Sequence, residues 1–318
     1  STSDDGKTWI DHGSADKLLC GGADILKELG QTFTYDGTTV TSKNDGADKG
    51  NNSRIVTTAL PGAGQYAAWA FKVNYAGELS GTYRVLEAIP DGMELAYIRI
   101  KWVGGQQNFN AMSSKKIPKL QSVGWKEKTI TAATDNGPEK TTIYYVKDNQ
   151  ALIELGDFTA GKLRDDYSVD VQVVCRVTDP DVLLGGETKT FKNQVTLQTA
   201  DGQDISTATS PAEITPKKIA KTFTTTNPVS EKINFTIEAN QFGAALSTKD
   251  GTTLTLIDKL SSTLILDTET IKVINSKTGA LVTDYTASLD ADNTLKIVIP
   301  RDVPVTITYT AAVNAPPR

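Results

Sequence analysis

Three residues in the last third of the sequence have side chains that could react with one another. Lys221 lies in the run IAKTFTTTN, Asp258 ends the apolar run LTLID, and Asn314 closes the run TITYTAAVN. A lysine amine attacks a carboxamide only when it is uncharged, and burial lowers the pKa of a lysine toward that state. A buried carboxylic acid, whose own pKa burial raises, could relay the protons as ammonia leaves. If folding held the three in contact, they could form a Lys–Asn amide without a cofactor.

The same three residues could instead be ordinary structural or surface residues that do not react. Lys221 could extend into solvent from a strand edge, Asp258 could be an exposed acid near a turn, and Asn314 could cap a strand end. Residues of these types are mostly exposed in folded proteins. Asp258 favours the reactive interpretation, because it follows an apolar strand-like run.

The composition predicts an all-β protein. The chain has 318 residues, with only 2 Cys, 2 Met and 1 His, and short Val, Ile, Thr and Tyr runs recur between Gly, Asn and Asp clusters. This length corresponds to one to three domains, each able to form its own core. We predict two tandem immunoglobulin-like β-sandwiches, the first enlarged by insertions.

The second predicted domain spans residues 216–318. Seven short strand-like runs in about 100 residues, separated by turn residues, are typical of an immunoglobulin-like sandwich. The predicted strands are 219–225, 233–239, 252–258, 270–275, 285–289, 294–299 and 305–314.

The first predicted domain spans residues 53–213, and residues 1–52 are an N-terminal extension that could belong to it. In that extension we predict a short helix over 24–29, ended by Gly30, and a hairpin that turns at Asp36-Gly37. Residues 104–140 are polar and predicted to be loops. The predicted strands of this domain are 54–60, 66–75, 82–89, 95–103, 141–147, 151–155, 167–178 and 189–199.

The runs IAKTFTTTN, INFTIEAN, LTLIDKLSSTLIL and ITYTAAVN resemble the isopeptide-forming, Cna-A-like domains of Gram-positive surface adhesins and sortase-assembled pilins. YAAWAFKVNYAGELSG and VLEAIPDGMEL resemble the N-terminal domains of collagen- and fibrinogen-binding adhesins. The resemblance implies a Lys221–Asn314 cross-link with Asp258 as proton relay, and an extracellular, wall-attached protein. It further implies that Lys221→Ala would remove the mass change of that bond.

The resemblance also implies weaker candidates for a cross-link in the first domain. Glu87 aligns with Asp258, and Asn193 aligns with Asn314. The predicted opening strand, however, carries Arg54 where a lysine is needed, and arginine keeps its charge. Lys27 or Lys72 could substitute, although Lys72 is expected on the solvated face of its strand.

Other reactive residue types gave weaker hypotheses. Cys20 could form a thioester with Gln65 or Gln121, or a single disulfide with Cys175, but a buried free thiol is the favoured interpretation of both Cys20 and Cys175. The single histidine lies in a polar segment and argues against a His-based hydrolase or metal site.

The segment TPKK raises the question of a pilin-type joint. Pro216-Lys217 resembles the pilin motif whose lysine is joined to the next subunit, yet a plain interdomain connection is favoured for Lys217, because Thr215 replaces the usual tyrosine.

The overall expectation is a surface adhesin that binds a host matrix or cell-surface protein or glycan. The alternative is a structural shaft pilin that contacts neighbouring pilin subunits. No cofactor, metal or external enzymatic reaction is expected. The net charge is −5 and the sequence has no basic stripe, so nucleic acid is an unlikely partner. No apolar run is long enough to span a membrane, and the chain reads as a mature fragment whose anchor lies elsewhere.

Overall fold

A computed structural model shows two β-sandwiches in succession. The structure describes residues 25–42, 54–75, 79–103, 116–135, 137–158, 168–183, 188–215, 219–225, 231–243 and 251–314. Within these ranges the helices are short: a single 3-10 turn (Thr57–Ala59), α1 (Lys119–Ser122) and α2 (Pro180–Leu183). None of them has the length and apolar character that crossing a membrane requires.

The first sandwich consists of a five-stranded sheet in the order β2-β1-β3-β9-β5 facing a six-stranded sheet in the order β11-β10-β4-β8-β7-β6. Every strand pair in both sheets is antiparallel. The strands are β1 (Ile25–Tyr35), β2 (Val40–Ser42), β3 (Gly64–Val73), β4 (Gly81–Ala88), β5 (Met93–Val103), β6 (Lys126–Thr134), β7 (Gly137–Lys147), β8 (Gln150–Phe158), β9 (Val169–Val177), β10 (Lys189–Thr199) and β11 (Asp204–Ile214).

Side-chain alternation sets which residues enter the core of this sandwich. In β3, Trp69, Phe71 and Val73 point to the facing sheet and are almost completely buried. Their partners in β9 are β-branched residues, such as Val171 and Val173, which favour strands and pack flat against the aromatic rings. The interior is therefore formed by the inner faces of two twisted sheets.

The second sandwich pairs a four-stranded sheet, β12-β13-β18-β15, with a three-stranded sheet, β14-β17-β16. Its core contains Leu254, Leu295, Ile297, Ile307 and Tyr309, all buried. The all-β prediction with immunoglobulin-like sandwiches is confirmed. The strands are β12 (Ala220–Thr225), β13 (Lys232–Ala239), β14 (Thr253–Lys259), β15 (Leu264–Asn275), β16 (Thr286–Leu289), β17 (Thr294–Pro300) and β18 (Val305–Val313).

The structure corrects the start of the chain as we predicted it. Residues 25–29, predicted as helix, form the beginning of strand β1, which pairs with β3 along its length. The sequence ILKEL fits helical and strand periods alike over five residues, and pairing with the apolar strand β3 decides between them. The hairpin turning at Asp36-Gly37 is present, with β1 paired to β2.

The structure differs from the prediction at three further places in the first domain. Residues 54–60 form an irregular segment with a 3-10 turn at Thr57–Ala59 instead of an opening strand. Residues 126–134, predicted as loop, form β6, which pairs with β7. Alternation in KEKTITAAT is weak because this edge strand buries only Ile130, Ala132 and Thr134. The first sandwich also has a closing strand, β11, for which we had predicted none.

Candidate cross-linking sites

A lysine and a glutamate meet inside the first sandwich. Lys27 Nζ lies 3.0 Å from Glu87 Oε1 and 3.1 Å from Oε2, and both side chains have 0% exposure. Lys27 points inward from β1 in the five-stranded sheet, and Glu87 points inward from β4 in the facing sheet. The pair therefore spans the core between the two sheets, where neither charge can be solvated by water.

Asn193 completes this group from the neighbouring strand β10. Glu87 lies opposite Val195 in the ladder between β4 and β10, so Asn193 is its diagonal neighbour on the same inner face. The Asn193 side chain is fully buried. Its Nδ2 donates a hydrogen bond to the Ala88 carbonyl (3.0 Å), and the amide also hydrogen-bonds the Glu87 carboxyl. An amine, a carboxyl and a carboxamide thus share one dry site.

Burial controls the protonation of the pair. Desolvation lowers the pKa of Lys27, and this effect outweighs the attraction of Glu87. Desolvation likewise raises the pKa of Glu87 against the opposing effects of Lys27 and Asn193. Both shifts favour the uncharged amine beside the uncharged acid, which is the state in which a lysine can act as a nucleophile.

The walls of this site are apolar or neutral. Lys27 Nζ lies 5.2 Å from the centre of the Phe71 ring. Cys175, a buried free thiol, lies close enough for its electrostatic interaction with Glu87 and Lys27 to influence its pKa, which burial raises well above the ordinary value. A thiol kept protonated in this way is inert, so the reactive groups of the site are Lys27, Glu87 and Asn193.

A second lysine–carboxylate contact lies in the second sandwich. Lys221 Nζ is 2.6 Å from Asp258 Oδ1 and 2.7 Å from Oδ2, and the Tyr309 hydroxyl donates to Oδ2 of the same carboxylate. Lys221 also lies over the Phe235 ring, 4.7 Å from its centre. The contact bridges β12 and β14, which are edge strands of the two facing sheets. Burial and the Asp258 hydrogen bond raise the pKa of Tyr309, so this residue remains a hydrogen-bond donor.

Asn314 is not part of the Lys221 contact, which corrects our prediction for the second domain. Lys221 lies opposite Ile237, and Ile237 lies opposite Ile307. Asn314 comes seven residues after Ile307, so it is displaced by roughly 23 Å along the strand direction. Its side chain is exposed, and its backbone N–H bonds the Thr263 carbonyl at 2.7 Å. The antiparallel register of β12, β13 and β18 thus separates the lysine from the asparagine.

The solvent exposure of the two lysines differs. The Lys221 side chain is 36% exposed and that of Asp258 is 12% exposed, whereas Lys27 and Glu87 are completely buried. A partly exposed ion pair stabilises a fold only slightly. The second sandwich therefore has a partly exposed salt bridge, and the first has a fully buried lysine–carboxyl pair beside a carboxamide.

The remaining candidates take ordinary positions or lie outside the described residues. Lys72 is partly exposed and pairs with Asp170 at 3.5 Å, as expected for the solvated face of β3. Gln65 Nε2 donates to the Thr215 carbonyl at 2.9 Å. Lys217, Cys20 and His12 lie outside the residues that the structure describes, so the pilin-type joint and the thioester stay predictions.

Sequence reasoning underestimated Lys27 because it assigned the opening strand to residues 54–60, where Arg54 cannot react. The signal that could have identified it is the alternation in ILKELGQTFTY, which puts Ile25, Lys27 and Leu29 on one face. The alternation Ile307, Tyr309, Ala311 similarly marks Tyr309 as facing inward. A charged residue at an inward position of a strand is the pattern to look for.

Comparison with known proteins found no matching protein-family profile and no matching curated protein. Among solved structures, the chain is similar to the collagen-binding subdomain of the Enterococcus faecalis surface protein ACE, with 13% identity over 49% of this chain and 92% of that chain and a TM-score of 0.28. It is similar to the collagen adhesin CNA from S. aureus, with 12% identity over 90% of this chain and 83% of that chain and a TM-score of 0.25. The major pilin subunit of Bacillus cereus shows 9% identity over 78% of this chain and 50% of that chain, with a TM-score of 0.31. At these identities and TM-scores no residue role is carried over from those proteins, and the two lysine sites are defined by their own contacts.

Proposed function

We propose that the first sandwich forms an internal Lys27–Asn193 isopeptide bond, with Glu87 as the proton relay. The observation that carries this proposal is the wholly buried contact of 3.0 Å between Lys27 Nζ and Glu87 Oε1, with the Asn193 amide bonded to the same carboxyl. A buried charge pair of this kind adds little stability by itself, since desolvation offsets its attraction. Because the Lys27–Glu87 pair lies beside the buried Asn193 carboxamide, Lys27 could react with that carboxamide.

The reaction balances without a cofactor. Glu87 takes one proton from the Lys27 ammonium, and the neutral amine attacks Cγ of Asn193. A new Nζ–Cγ bond forms, and Glu87 returns its proton to Nδ2 and takes the second proton from Nζ. The Cγ–Nδ2 bond then breaks, ammonia leaves, and Glu87 ends protonated beside the neutral amide. The fold supplies the high effective concentration that makes this exchange fast.

The bond would join β1 of one sheet to β10 of the facing sheet. It would close a loop of roughly 165 residues, which by analogy with disulfides stabilises the folded state on the order of 5 kcal/mol. Force applied at the chain ends would then bypass nearly the whole first sandwich. A secreted protein under shear gains from such a link because a reductant cannot break it.

The biological role that fits these features is that of a wall-attached surface adhesin of a Gram-positive bacterium, of which this chain is part. The sequence patterns of both domains support this role through their resemblance to adhesin domains, and a first sandwich closed by the proposed bond would suit a protein under shear. Its partner would be a host matrix or cell-surface protein or glycan. The alternative, a shaft pilin, depends on Lys217 being joined to a neighbouring subunit.

The cross-link is tested by measuring the intact mass of the denatured chain. We expect the wild-type chain to be lighter than its calculated mass by one ammonia, about 17 Da. Lys27→Met and Asn193→Ala should each have the full calculated mass. Lys72→Met is the matched control, since it removes another lysine of the same sandwich and should keep the deficit. A wild-type chain of full calculated mass would contradict the proposal.

The adhesin role has a separate test. Purified chain is applied to immobilised matrix proteins and glycans, and saturable binding is expected for an adhesin. Lys217-dependent covalent ladders on the bacterial surface, without saturable binding to any immobilised ligand, would instead support the shaft pilin. The mass measurement does not depend on either outcome.

A further inference from the structure

The side chain of Trp69 has a buried hydrogen-bond donor that is not used. Trp69 is completely buried on the inner face of β3, and its Nε1–H has no acceptor among the residues that the structure describes. Buried donors in native proteins nearly always have a partner, so an exception calls for an explanation. Phenylalanine would fill most of the same space without this polar group.

Asn193 has the complementary unmet group. Its Nδ2 is occupied by the Ala88 carbonyl and the Glu87 carboxyl, whereas its Oδ1 is buried with no donor within the described part of the chain. This orientation places the relay acid next to the nitrogen that must leave. It also leaves the carbonyl oxygen, on which negative charge develops during attack, without a hydrogen bond from Glu87.

The strand registers put these two groups at the same depth in the sandwich. Gln65 at the start of β3 contacts Thr215 at 2.9 Å, and Thr215 contacts Thr188 just before β10 at 3.2 Å. Both strands run inward from this end. Trp69 comes four residues after Gln65 and Asn193 five residues after Thr188, so each lies roughly 13 to 17 Å along its strand.

Neighbours of Trp69 on both sides are part of the reactive site. On its inner face β3 presents Ala67, Trp69 and Phe71 in succession. Phe71 has Lys27 Nζ 5.2 Å from its ring centre. Ala67 lies opposite Cys175, whose pKa is influenced by Glu87 and Lys27. The Trp69 indole therefore lies between Phe71, whose ring is close to Lys27 Nζ, and Ala67, whose neighbour Cys175 interacts electrostatically with Glu87 and Lys27.

We propose that the Trp69 indole N–H donates a hydrogen bond to Asn193 Oδ1 as Lys27 attacks, and thereby stabilises the oxyanion of the tetrahedral intermediate. When the Nζ–Cγ bond forms, the carbonyl π electrons move onto Oδ1. Trp69 keeps its proton throughout, and collapse of the intermediate restores the carbonyl as ammonia leaves. Two unsatisfied groups are thus satisfied together at the moment of reaction. This inference rests on the proposed cross-link.

The test is the rate of bond formation in newly made protein. The full chain is synthesised in a cell-free system, synthesis is stopped, and samples are denatured in acid at intervals for intact-mass measurement. For Trp69→Phe we expect the ammonia loss to be roughly 100-fold slower, the scale observed when one oxyanion donor is removed. Trp102→Phe, on the outer face of the same sheet, is the matched control and should react at the wild-type rate.

Packing effects are separated from the loss of the donor by two further variants. Val173→Ala removes a side chain next to Trp69 in the ladder and should lower the melting temperature while leaving the rate within a few-fold of wild type. Replacement of Trp69 by benzothienylalanine keeps the shape of the indole but exchanges N–H for sulfur, and should be as slow as Trp69→Phe. This replacement decides the question if Trp69→Phe does not fold.

The outcomes distinguish the two proposals. If the wild-type chain never loses ammonia, the cross-link itself is refuted. If the wild type loses ammonia and the benzothienylalanine chain does so at the same rate, the cross-link stands and the role of Trp69 is refuted. A slow reaction confined to chains that lack the indole N–H supports the inference.

Discussion

Lys27 Nζ and Glu87 Oε1 lie 3.0 Å apart in the centre of the first sandwich, with no part of either side chain exposed. The two residues are brought together from facing sheets by strands that lie sixty positions apart in the chain. In contrast, Lys221 and Asp258 form a similarly short contact at the edge of the second sandwich, where Lys221 is 36% exposed. The two lysine–carboxylate contacts therefore differ in their access to water: the first is fully buried, and the second is partly exposed.

The first prediction concerns stability. Asn193→Ala removes the electrophile while keeping the Lys27–Glu87 pair, and should lower the free energy of unfolding on the order of 5 kcal/mol because the unfolded chain is no longer closed into a loop. Denaturant unfolding of the purified chains measures this difference. Ser210→Ala, a buried polar truncation opposite Asn193 in β11, is the control and should cost far less. Equal losses in the two variants would argue against the loop effect.

The second prediction concerns the pH dependence of bond formation. The reactive pair holds one proton between Lys27 and Glu87. Below the pKa of Glu87, which burial raises above its ordinary 4.5, the pair gains a second proton and the amine is blocked as ammonium. Above the pKa of Lys27, which burial lowers below its ordinary 10.5, the pair loses its last proton, and Glu87 can no longer act as an acid during the attack.

The rate should therefore form a plateau that falls on both sides, inside the window between 4.5 and 10.5. Cell-free product shifted into buffers of different pH, followed by intact mass, gives this profile. A rate that keeps climbing beyond pH 10.5, as for a solvent-exposed lysine, would be incompatible with the buried pair.

The third prediction is mechanical. With the bond in place, pulling on the two ends of the chain cannot extend the segment between Lys27 and Asn193. The contour length released on complete unfolding should be shorter by on the order of 550 Å than in Lys27→Met, since an extended residue spans about 3.3 to 3.6 Å. Single-molecule force spectroscopy measures this length. Lys72→Met serves as the control, and a full-length extension of the wild type would contradict the cross-link.

The fourth prediction concerns the second sandwich. Lys221→Met and Asn314→Ala should change the mass only by the substitution, because the register keeps these residues apart. Loss of the Lys221–Asp258 pair should lower stability by about 1 kcal/mol or less, since the pair is partly exposed and screened by salt. Intact mass and denaturant unfolding at low and high salt test both statements. A further mass increase of one ammonia in either variant would show that a Lys221–Asn314 bond forms in the wild-type chain.

The fifth prediction concerns a buried arginine on the outer face of the five-stranded sheet. Arg99 Nε donates to Gln172 (2.8 Å), and its terminal nitrogens donate to the carbonyls of Ala133 (3.0 Å) and Arg54 (2.7 Å) and to Asp135 (2.8 Å). Arg99→Met removes these four hydrogen bonds and the ion pair with Asp135, and should destabilise the chain by about 3 kcal/mol or more.

Hydrogen exchange provides a local measure of this effect. Residues 54–60 should lose protection in Arg99→Met, because the Arg54 carbonyl loses the donor that fixes this segment to the sheet. Lys128→Met, an exposed change in β6, is the control and should leave exchange unchanged. Protection of residues 54–60 that survives the loss of Arg99 would show that other contacts hold the segment.

Local patterns were sufficient for much of the architecture. Most strands of the second sandwich were predicted closely, because each is a short alternating run between turn residues and alternation depends only on neighbouring positions. The exception is β15, which begins at Leu264, six residues before the predicted strand 270–275. The same rule located β3, β4, β5 and β9. It failed for residues 25–29, where five residues fit a helix and a strand equally well, and only pairing with β3 separates the two.

The sequence by itself identified side chains that could react: a lysine, an acid and an asparagine in the second domain, and, through the family resemblance, weaker candidates in the first. Only the tertiary structure decided which of them meet. Register moved Asn314 about seven residues beyond the level of Lys221, whereas the facing of two sheets brought Lys27, Glu87 and Asn193 together. Burial then distinguished the Lys27–Glu87 pair from the partly exposed Lys221–Asp258 pair, because desolvation depends on everything packed around a group and on nothing in its own short stretch of sequence.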